Sequence, residues 1–189
     1  MKNVAILGST GSIGTNALKV LRNNCERFHA VGLAAGRTVG RLAEQAAEFQ
    51  PSWVYAEGDL SSQRLPDGTR ILRTQAELCD AVAAKDVDIV LCAISGTAGL
   101  KPVLSAIRAG MDIALASKEV LVMAGAIVTE ACQKSGSKLL PVDSEHCAIF
   151  QCIDRHPADS VRRVILTCSG GPFHKRPDID QATLTPEQA

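Results

Sequence analysis

The stretch Val4-Ala5-Ile6-Leu7-Gly8-Ser9-Thr10-Gly11-Ser12-Ile13-Gly14 decides the fold, because an apolar strand runs directly into a glycine-rich turn. Residues 16–22 continue with the apolar spacing of a helix. Glycines in such a turn let the backbone bend tightly and approach a pyrophosphate, which the free N–H groups of the helix N-terminus then bind. The stretch predicts a strand–turn–helix unit that binds a dinucleotide. The alternative is a tight turn in an α/β protein without a cofactor.

The rest of the first 142 residues alternates short apolar runs with longer amphipathic segments, which is typical of a parallel sheet covered by helices on both faces. We predict strands at 4–7, 30–34, 53–55, 89–93, 113–116 and 138–142. We predict helices at 12–24, 38–49, 74–84, 98–109 and 119–135. Gly110 and Gly136 are the expected C-terminal caps of the last two. The predicted fold class is α/β, with a Rossmann-like doubly wound parallel sheet.

The pattern changes after Val142, where we predict that a second domain begins. Residues 143–152 indicate a short helix, and 162–168 indicate a strand that leads into a glycine-rich segment. Pro186 stands where a helix would begin, and only three residues follow it. We therefore predict a dinucleotide-binding domain at 1–142 and the truncated start of a second α/β domain at 143–189.

Composition excludes several classes of function. Twenty basic and 20 acidic side chains give a formal net charge of zero, so no long-range field attracts nucleic acid or an anionic membrane. No apolar run reaches the roughly 18 residues of a membrane span, and the N-terminus lacks the pattern of a signal peptide. Seven cysteines without a C-x-x-C pair indicate a reducing compartment, and we expect a cytoplasmic protein.

The residues after the second predicted strand indicate which dinucleotide binds. Gly36-Arg37-Thr38 follows this strand, with no carboxylate where an NAD site would place one for the ribose hydroxyls. Arg37 can instead hold a 2′-phosphate through charge-assisted hydrogen bonds. This pattern favours NADPH, and the alternative is that Arg37 is a solvated residue at the start of a helix.

Asp143 and Glu145 are two residues apart at the end of the last predicted strand. If the extended backbone continues, both carboxylates face the same side. Hard oxygen ligands without a Cys/His cluster suit Mg²⁺ or Mn²⁺ better than zinc. The alternative is that Asp143 or Ser144 caps the next helix while Glu145 complements the helix dipole.

Four separated motifs resemble those of the 1-deoxy-D-xylulose 5-phosphate reductoisomerase family. They are Gly8-Ser9-Thr10-Gly11-Ser12-Ile13-Gly14, Ala116-Ser117-Lys118-Glu119, Leu140-Pro141-Val142-Asp143-Ser144-Glu145-His146 and Ser169-Gly170-Gly171-Pro172-Phe173. The resemblance implies a rearrangement and reduction of 1-deoxy-D-xylulose 5-phosphate to 2-C-methyl-D-erythritol 4-phosphate, dependent on NADPH and on Mg²⁺ or Mn²⁺, in isoprenoid precursor synthesis. It also implies a homodimer when full-length, with a phosphorylated sugar as substrate and neither nucleic acid nor a membrane as partner.

The resemblance also implies roles for individual residues. Those implied to contact NADPH are Thr10, Gly11, Ser12, Ile13, Gly36, Arg37, Thr38, Ser117 and Glu119. Asp143 and Glu145 match metal ligands, and Lys118 joins them as a catalytic residue. The implied substrate contacts are Lys118, Ser144, Glu145 and Ser169. This sequence departs from the family at Arg37, Thr38 and Ser117, where the family usually has lysine, asparagine and asparagine.

Family members resembling this chain continue with a third acidic metal ligand, an asparagine-lysine substrate-binding stretch, an active-site lid and a helical domain. We therefore expect this chain to bind NADPH but to be incomplete for catalysis by itself. Two alternatives stay open. One is a non-catalytic NADPH-binding module, and the other is a different NADPH-dependent oxidoreductase of the semialdehyde or homoserine dehydrogenase kind.

Overall fold

A computed structural model describes residues 1–165, 173, 175, 178–185 and 187 of the chain. The chain divides into two compact units, Met1–Asp143 and Ser144–Ala189. Within the described ranges, no helix combines the length and the hydrophobicity that a membrane crossing requires.

A parallel seven-stranded sheet forms the centre of the first unit, in the order β4-β3-β2-β1-β5-β6-β7. The strands are β1 (Lys2–Leu7), β2 (Phe28–Ala35), β3 (Trp53–Ala56), β4 (Arg70–Leu72), β5 (Ile89–Cys92), β6 (Asp112–Leu115) and β7 (Leu139–Pro141). The chain builds outward from β1 to β4 on one side and then returns to the other side of β1 with β5. The predicted doubly wound α/β fold is confirmed.

The helices connect these strands and cover both faces of the sheet. They are α1 (Ser12–Asn23), α2 (Val39–Phe49), α3 (Gln75–Val82), α4 (Leu100–Arg108) and α5 (Glu119–Ser135), followed in the second unit by α6 (Ser144–Ile153). The chain leaves α4 and α5 through Gly110 and Gly136, whose φ angles of 88° and 77° lie in the left-handed region that favours glycine. Both predicted glycine caps are confirmed.

Alternation along the buried strands divides the core into two clusters. On β1, Ala5 and Leu7 contribute to the cluster beneath α3, α4 and α5, whereas Val4 and Ile6 contribute to the cluster beneath α1 and α2. All four side chains are buried. The central strand is therefore enclosed on both faces, which explains why it reads as an unbroken apolar run.

Two strand predictions differ from the structure. We did not predict β4, because three residues after the turn Pro66-Asp67-Gly68 carry too little periodicity to reveal a strand. The strand predicted at 162–168 is wrong for residues 162–165, which have no regular secondary structure. Val164 and Ile165 are exposed, and no described strand of the second unit pairs with them. Residues 166–168, Ser169 and Pro186 lie outside the described residues.

Gly32 and Trp53 form a tight contact between β2 and β3, where they are partners in the strand register. A Cβ on Gly32 would lie 2.0 Å from the Cε2 and Cζ2 atoms of the Trp53 ring. The ring is buried and belongs to the core beneath α3, α4 and α5. Gly32 therefore provides the space that the ring occupies.

We expect Gly32→Ala to lower the free energy of unfolding by about 3 kcal/mol, because the added methyl group has to displace a buried indole ring. Urea denaturation followed by the fluorescence of Trp53, the only tryptophan, measures this change. Gly125→Ala in α5 is the control, since a Cβ there meets no atom of the described residues within 4 Å and should stabilise the helix by up to about 1 kcal/mol. Equal stability of the two variants would contradict the packing argument.

Candidate functional site

The turn between β1 and α1 depends on two glycines. Gly8 has a φ of 90°, and a Cβ on it would lie 2.6 Å from the carbonyl oxygen of Ala93. A Cβ on Gly14 would lie 2.2 Å from the carbonyl oxygen of Gly8. As a result, α1 starts directly against the end of the strand. Gly11, Ser12 and Ile13 are exposed at the N-terminus of this helix, and its first turn carries no acidic residue. This geometry suits an anionic group.

A buried polar pair attaches this turn to α2. Ser9 Oγ donates a hydrogen bond to Gln45 Oε1 at 2.8 Å, and Gln45 Nε2 donates to the Ser9 carbonyl oxygen at 3.0 Å. Both residues are buried, so the two bonds form away from competing water. This contact is not among the features predicted from the sequence. Its only signal was a polar residue among the apolar positions of the predicted helix at 38–49.

The end of β2 lies beside the same turn. The backbone N–H groups of Gly8 and Ser9 both donate to the Ala34 carbonyl oxygen, at 2.8 and 2.9 Å. Thr38 Oγ1 donates to Thr10 Oγ1 at 2.7 Å. The structure therefore brings together Thr10 and Thr38, two of the residues predicted to contact the cofactor, while Arg37 is exposed.

A cavity of about 150 Å³ lies where the strand order reverses, at the carboxyl ends of β1, β5 and β6. The residues that line it are Ile13, Ala93, Ile94, Ser95, Ala116, Ser117, Lys118 and Glu119. Ligands of open α/β sheets bind in such a crevice. The start of α1 and the Ser-Lys-Glu segment, which are about 100 residues apart in sequence, thus share one cavity.

Ser117 holds the wall of this cavity together through its hydroxyl group. Its side chain is buried, and its Oγ donates to the Ile94 carbonyl oxygen at 2.5 Å. The Glu119 Oε2 atom lies 3.2 Å from the same hydroxyl. These contacts join the loops that follow β5 and β6. Lys118 and Glu119 are exposed at the start of α5 and are available to a ligand.

The backbone after Asp143 forms the helix predicted at 143–152, since β7 ends at Pro141 and α6 spans Ser144–Ile153. The extended backbone that would turn both carboxylates to one side does not continue through Glu145, so that argument for the pair does not apply. A carboxylate in a first helical turn complements the helix dipole, and Ser144 Oγ donates to Glu145 Oε2 at 2.8 Å, so this local sequence favours the helix.

The described residues contain no cluster of three or more His, Cys, Asp or Glu side chains that could hold a metal ion. Asp143 is partly buried, whereas Ser144 and Glu145 are exposed. Ser169, which the family resemblance implies as a substrate contact, lies outside the described residues. In this part of the chain, the candidate metal ligands remain the two carboxylates that the sequence indicated.

One carboxylate near the end of β2 was missed. A Cβ on Gly36 would lie 3.9 Å from Glu57 Oε2, and Glu57 follows β3, the neighbour of β2 in the sheet. Directly after the second strand itself the chain has no acid. The missed signal was an acidic residue just after the strand predicted at 53–55, because parallel strands end at the same edge of a sheet.

Comparison with known proteins assigns the chain to a family. The family model for 1-deoxy-D-xylulose 5-phosphate reductoisomerase matches residues 4–125, and the model for the C-terminal domain of that enzyme matches residues 139–189. The chain belongs to the 1-deoxy-D-xylulose 5-phosphate reductoisomerase family. The resemblance inferred from the four motifs is confirmed, and the alternative of a different oxidoreductase family is excluded.

Individual relatives support this assignment. The 1-deoxy-D-xylulose 5-phosphate reductoisomerase of Chlorobaculum tepidum is 47% identical over 194 residues, covering 100% of this chain and 51% of that protein. A structure of the Zymomonas mobilis enzyme in complex with NADPH matches with a TM-score of 0.83 and 40% identity, over 100% of this chain and 51% of that one. A structure of DOX-P reductoisomerase in complex with NADPH, fosmidomycin and magnesium matches with a TM-score of 0.74 and 36% identity, over 84% and 40% of the two chains. The chain spans about half the length of the curated relatives it matches.

Cys92 is the last residue of β5 and directly precedes Ala93 and Ile94, which line the cavity beside the start of α1. Burial raises the pKa of its thiol to about 11, while a hydrogen bond from the Ile94 backbone acts in the opposite direction and the charge of Glu119 raises the pKa further. A Cβ on Gly99 would lie 2.7 Å from the Cys92 sulfur, so the thiol is closely packed. The thiol is therefore kept neutral in the folded chain.

We expect the Cys92 thiol to make stability fall in alkaline solution. Its folded pKa of about 11 lies above the ordinary value of 9.0, so its contribution is present below pH 9 and is lost as the pH rises through 11. Between pH 8 and pH 11 this loss should reach about 2 kcal/mol. In Cys92→Ala the fall in unfolding free energy should be smaller by that amount, as measured by urea denaturation. Cys25→Ala, at an exposed thiol, should keep the full pH dependence, and identical slopes in both variants would refute the assignment.

Proposed function

We propose that this chain forms the NADPH-binding part and the first section of the metal- and substrate-binding part of a 1-deoxy-D-xylulose 5-phosphate reductoisomerase. The reaction rearranges the substrate's carbon skeleton and reduces the resulting aldehyde to 2-C-methyl-D-erythritol 4-phosphate. The observation that carries the proposal is the cavity in which Ile13 of the glycine turn meets Ser117, Lys118 and Glu119. It joins an anion-binding helix start to charged groups suited to a reacting centre.

The proposed NADPH site follows the cofactor-binding edge of the sheet. Backbone groups at Thr10, Gly11, Ser12 and Ile13 hold the pyrophosphate, and Gly36, Arg37 and Thr38 hold the adenosine end with its 2′-phosphate. The close approach of Gly14 to Gly8 supports this fit, because it leaves the helix N-terminus open to an anion. The relatives solved in complex with NADPH support the choice of cofactor.

At the other end of the dinucleotide, Ser117 and Glu119 border the nicotinamide in this proposal. NADPH supplies the hydride, and the protein orients the acceptor carbon. Lys118 lies at the same cavity with its charged side chain exposed. We assign this lysine to stabilising negative charge on the substrate as the carbon skeleton rearranges.

We assign Asp143 and Glu145 to a site for Mg²⁺ or Mn²⁺. The support is the chemistry of the donors, since two carboxylates with water molecules match the oxygen ligands of these ions. A bound ion supplies Lewis-acid polarisation of the substrate's oxygens. Ser144 and Ser169 complete the proposed substrate contacts. A solved relative in complex with magnesium supports the metal class.

Compartment and assembly belong to the same proposal. The cysteines in the described part of the chain are free thiols at positions 25, 79, 92, 132, 147 and 152, which agrees with a reducing cytoplasm. A homodimer of the full-length enzyme and a domain boundary after Val142 stay predictions. Size-exclusion chromatography with light scattering of the full-length enzyme tests the first of these.

NADPH should bind this chain at least about tenfold more tightly than NADH, because Arg37 forms charge-assisted hydrogen bonds with the 2′-phosphate. Titration by nucleotide fluorescence measures both dissociation constants. Arg37→Glu should bring the two constants together by placing a negative charge at the phosphate. Arg27→Glu makes the same charge change before β2, at the opposite edge of the sheet, and should leave the preference intact. Equal affinities in the unsubstituted chain would remove the argument for Arg37.

A chimera tests the catalytic assignment: residues 1–189 replace the matching segment of the Zymomonas mobilis enzyme. With 1-deoxy-D-xylulose 5-phosphate and Mn²⁺ the chimera should oxidise NADPH, and the loss of NADPH absorbance measures this reaction.

In the chimera, Asp143→Asn should lower kcat at least about 100-fold and weaken the Mn²⁺ binding that electron paramagnetic resonance detects. Asp154→Asn, after the end of α6, is the matched control and should change neither. Unchanged Mn²⁺ binding in Asp143→Asn would return Asp143 to helix capping, and a folded, NADPH-binding chimera without turnover would contradict the proposal.

A further inference from the structure

Glu57 lies against the turn that carries Gly36 and Arg37. In the register between β2 and β3, Ala35 pairs with Ala56, so Glu57 is level with Gly36 one step beyond the paired residues. The backbone N–H of Glu57 donates to the Gly36 carbonyl oxygen at 3.1 Å. The N–H of the next residue, at position 58, donates to the same oxygen at 3.2 Å. These bonds hold the start of the loop after β3 on the turn after β2.

The glycine at position 58 brings the two segments still closer. A Cβ on Gly58 would lie 2.8 Å from Val39 Cγ1 and 3.4 Å from the Arg37 Cα atom. Above Gly36, by contrast, Glu57 Oε2 at 3.9 Å is the single atom of the described residues, apart from the adjacent ones, that a Cβ would approach within 4 Å. A group that binds over Gly36 therefore has the Glu57 carboxylate as its neighbour.

The carboxylates of Asp59 and Glu57, in the loop after β3, differ in their interactions. Asp59 accepts hydrogen bonds from the backbone N–H and the hydroxyl of Ser61, at 2.8 and 2.7 Å, and these bonds lower the pKa of its carboxyl group. Burial, and secondly the charge of Glu57, raises the pKa of Tyr55. The charge of Glu57 thus acts on Tyr55 near the end of β3, whereas the Asp59 carboxylate is engaged within its own loop.

We propose that Glu57 is a cofactor-selectivity residue that opposes the preference set by Arg37. This inference rests on the proposed function, because it requires the adenosine end of a dinucleotide on the turn at 36–38. A carboxylate accepts hydrogen bonds but cannot donate them, so it favours the ribose 2′-hydroxyl of NADH. The same charge repels the 2′-phosphate of NADPH. Glu57 therefore acts in opposite directions on the two cofactors.

The carboxylate near the turn at 36–38 comes from a different strand than the corresponding acid of NAD-binding sites. In NAD-binding sites of this fold the acid that binds the ribose comes from the end of the second strand. Here that strand ends with glycine and arginine, and the acid comes from the end of the neighbouring strand. Arginine and glutamate at one turn give the cofactor site a moderate preference instead of an absolute one.

The test compares dissociation constants for NADPH and NADH by nucleotide fluorescence in the unsubstituted chain and in Glu57→Gln. We expect NADPH to bind about fivefold more tightly in the variant and NADH about twofold more weakly. Glu57→Lys should shift the ratio further in the same direction. Raising the salt from about 0.1 M to about 1 M shortens the Debye length from about 10 Å to about 3 Å and should reduce the gain for NADPH.

Glu26→Gln is the matched control, because it removes the same charge before β2, at the opposite edge of the sheet, and should change neither constant. Unchanged selectivity in Glu57→Gln and Glu57→Lys, or an equal change for both cofactors, would overturn the role of Glu57 while leaving the proposed function in place. Failure of the unsubstituted chain to bind either dinucleotide would overturn the proposed function and this inference together.

Discussion

The close approach of backbone to backbone at the first turn constrains the rest of this structure. Gly8 has no room for a side chain against the Ala93 carbonyl, and Gly14 has none against Gly8 itself. Because both gaps are closed, α1 begins at the end of the central strand, where the first N–H groups of a helix have no partner within the helix. The buried hydrogen bonds between Ser9 and Gln45 then fix α2 to the same point. The open start of α1 therefore depends on the absence of side chains at Gly8 and Gly14.

Sheet order determines which distant residues reach this turn. Since β1 lies between β2 and β5, the segments after both of these strands border the same helix start. One side supplies the threonine pair Thr10 and Thr38, and the other supplies the cavity wall held by Ser117 and the Ile94 carbonyl. A dinucleotide is long enough to use both sides, so the reversal in strand order is what allows its two ends to meet different groups.

The sequence predicts the parts of the fold that short-range patterns control. The buried strand β1 and the capped helices α4 and α5 have strong periodicity or glycine ends, and they were found with small errors at their boundaries. Short elements such as β4 depend on pairing with a neighbour and were missed. The same reason explains the candidate site. Thr10, Thr38 and Ser117 could be named from motifs, whereas Gln45 and Glu57 become visible only when the topology brings separate segments together.

Backbone groups and side chains have different roles at this site. Backbone N–H groups at the start of α1 suit a pyrophosphate. This suitability does not depend on the side chains at which the chain departs from the family's usual residues. Those differences, at Arg37, Thr38 and Ser117, fall on groups that are proposed to contact the ends of a dinucleotide or that hold a loop. Thr38 makes a hydrogen bond to the glycine turn and Ser117 makes one to the loop after β5, so both residues help to hold the frame of the site. A site built in this way can change its preference between cofactors through peripheral charges while the geometry that binds their common part stays the same.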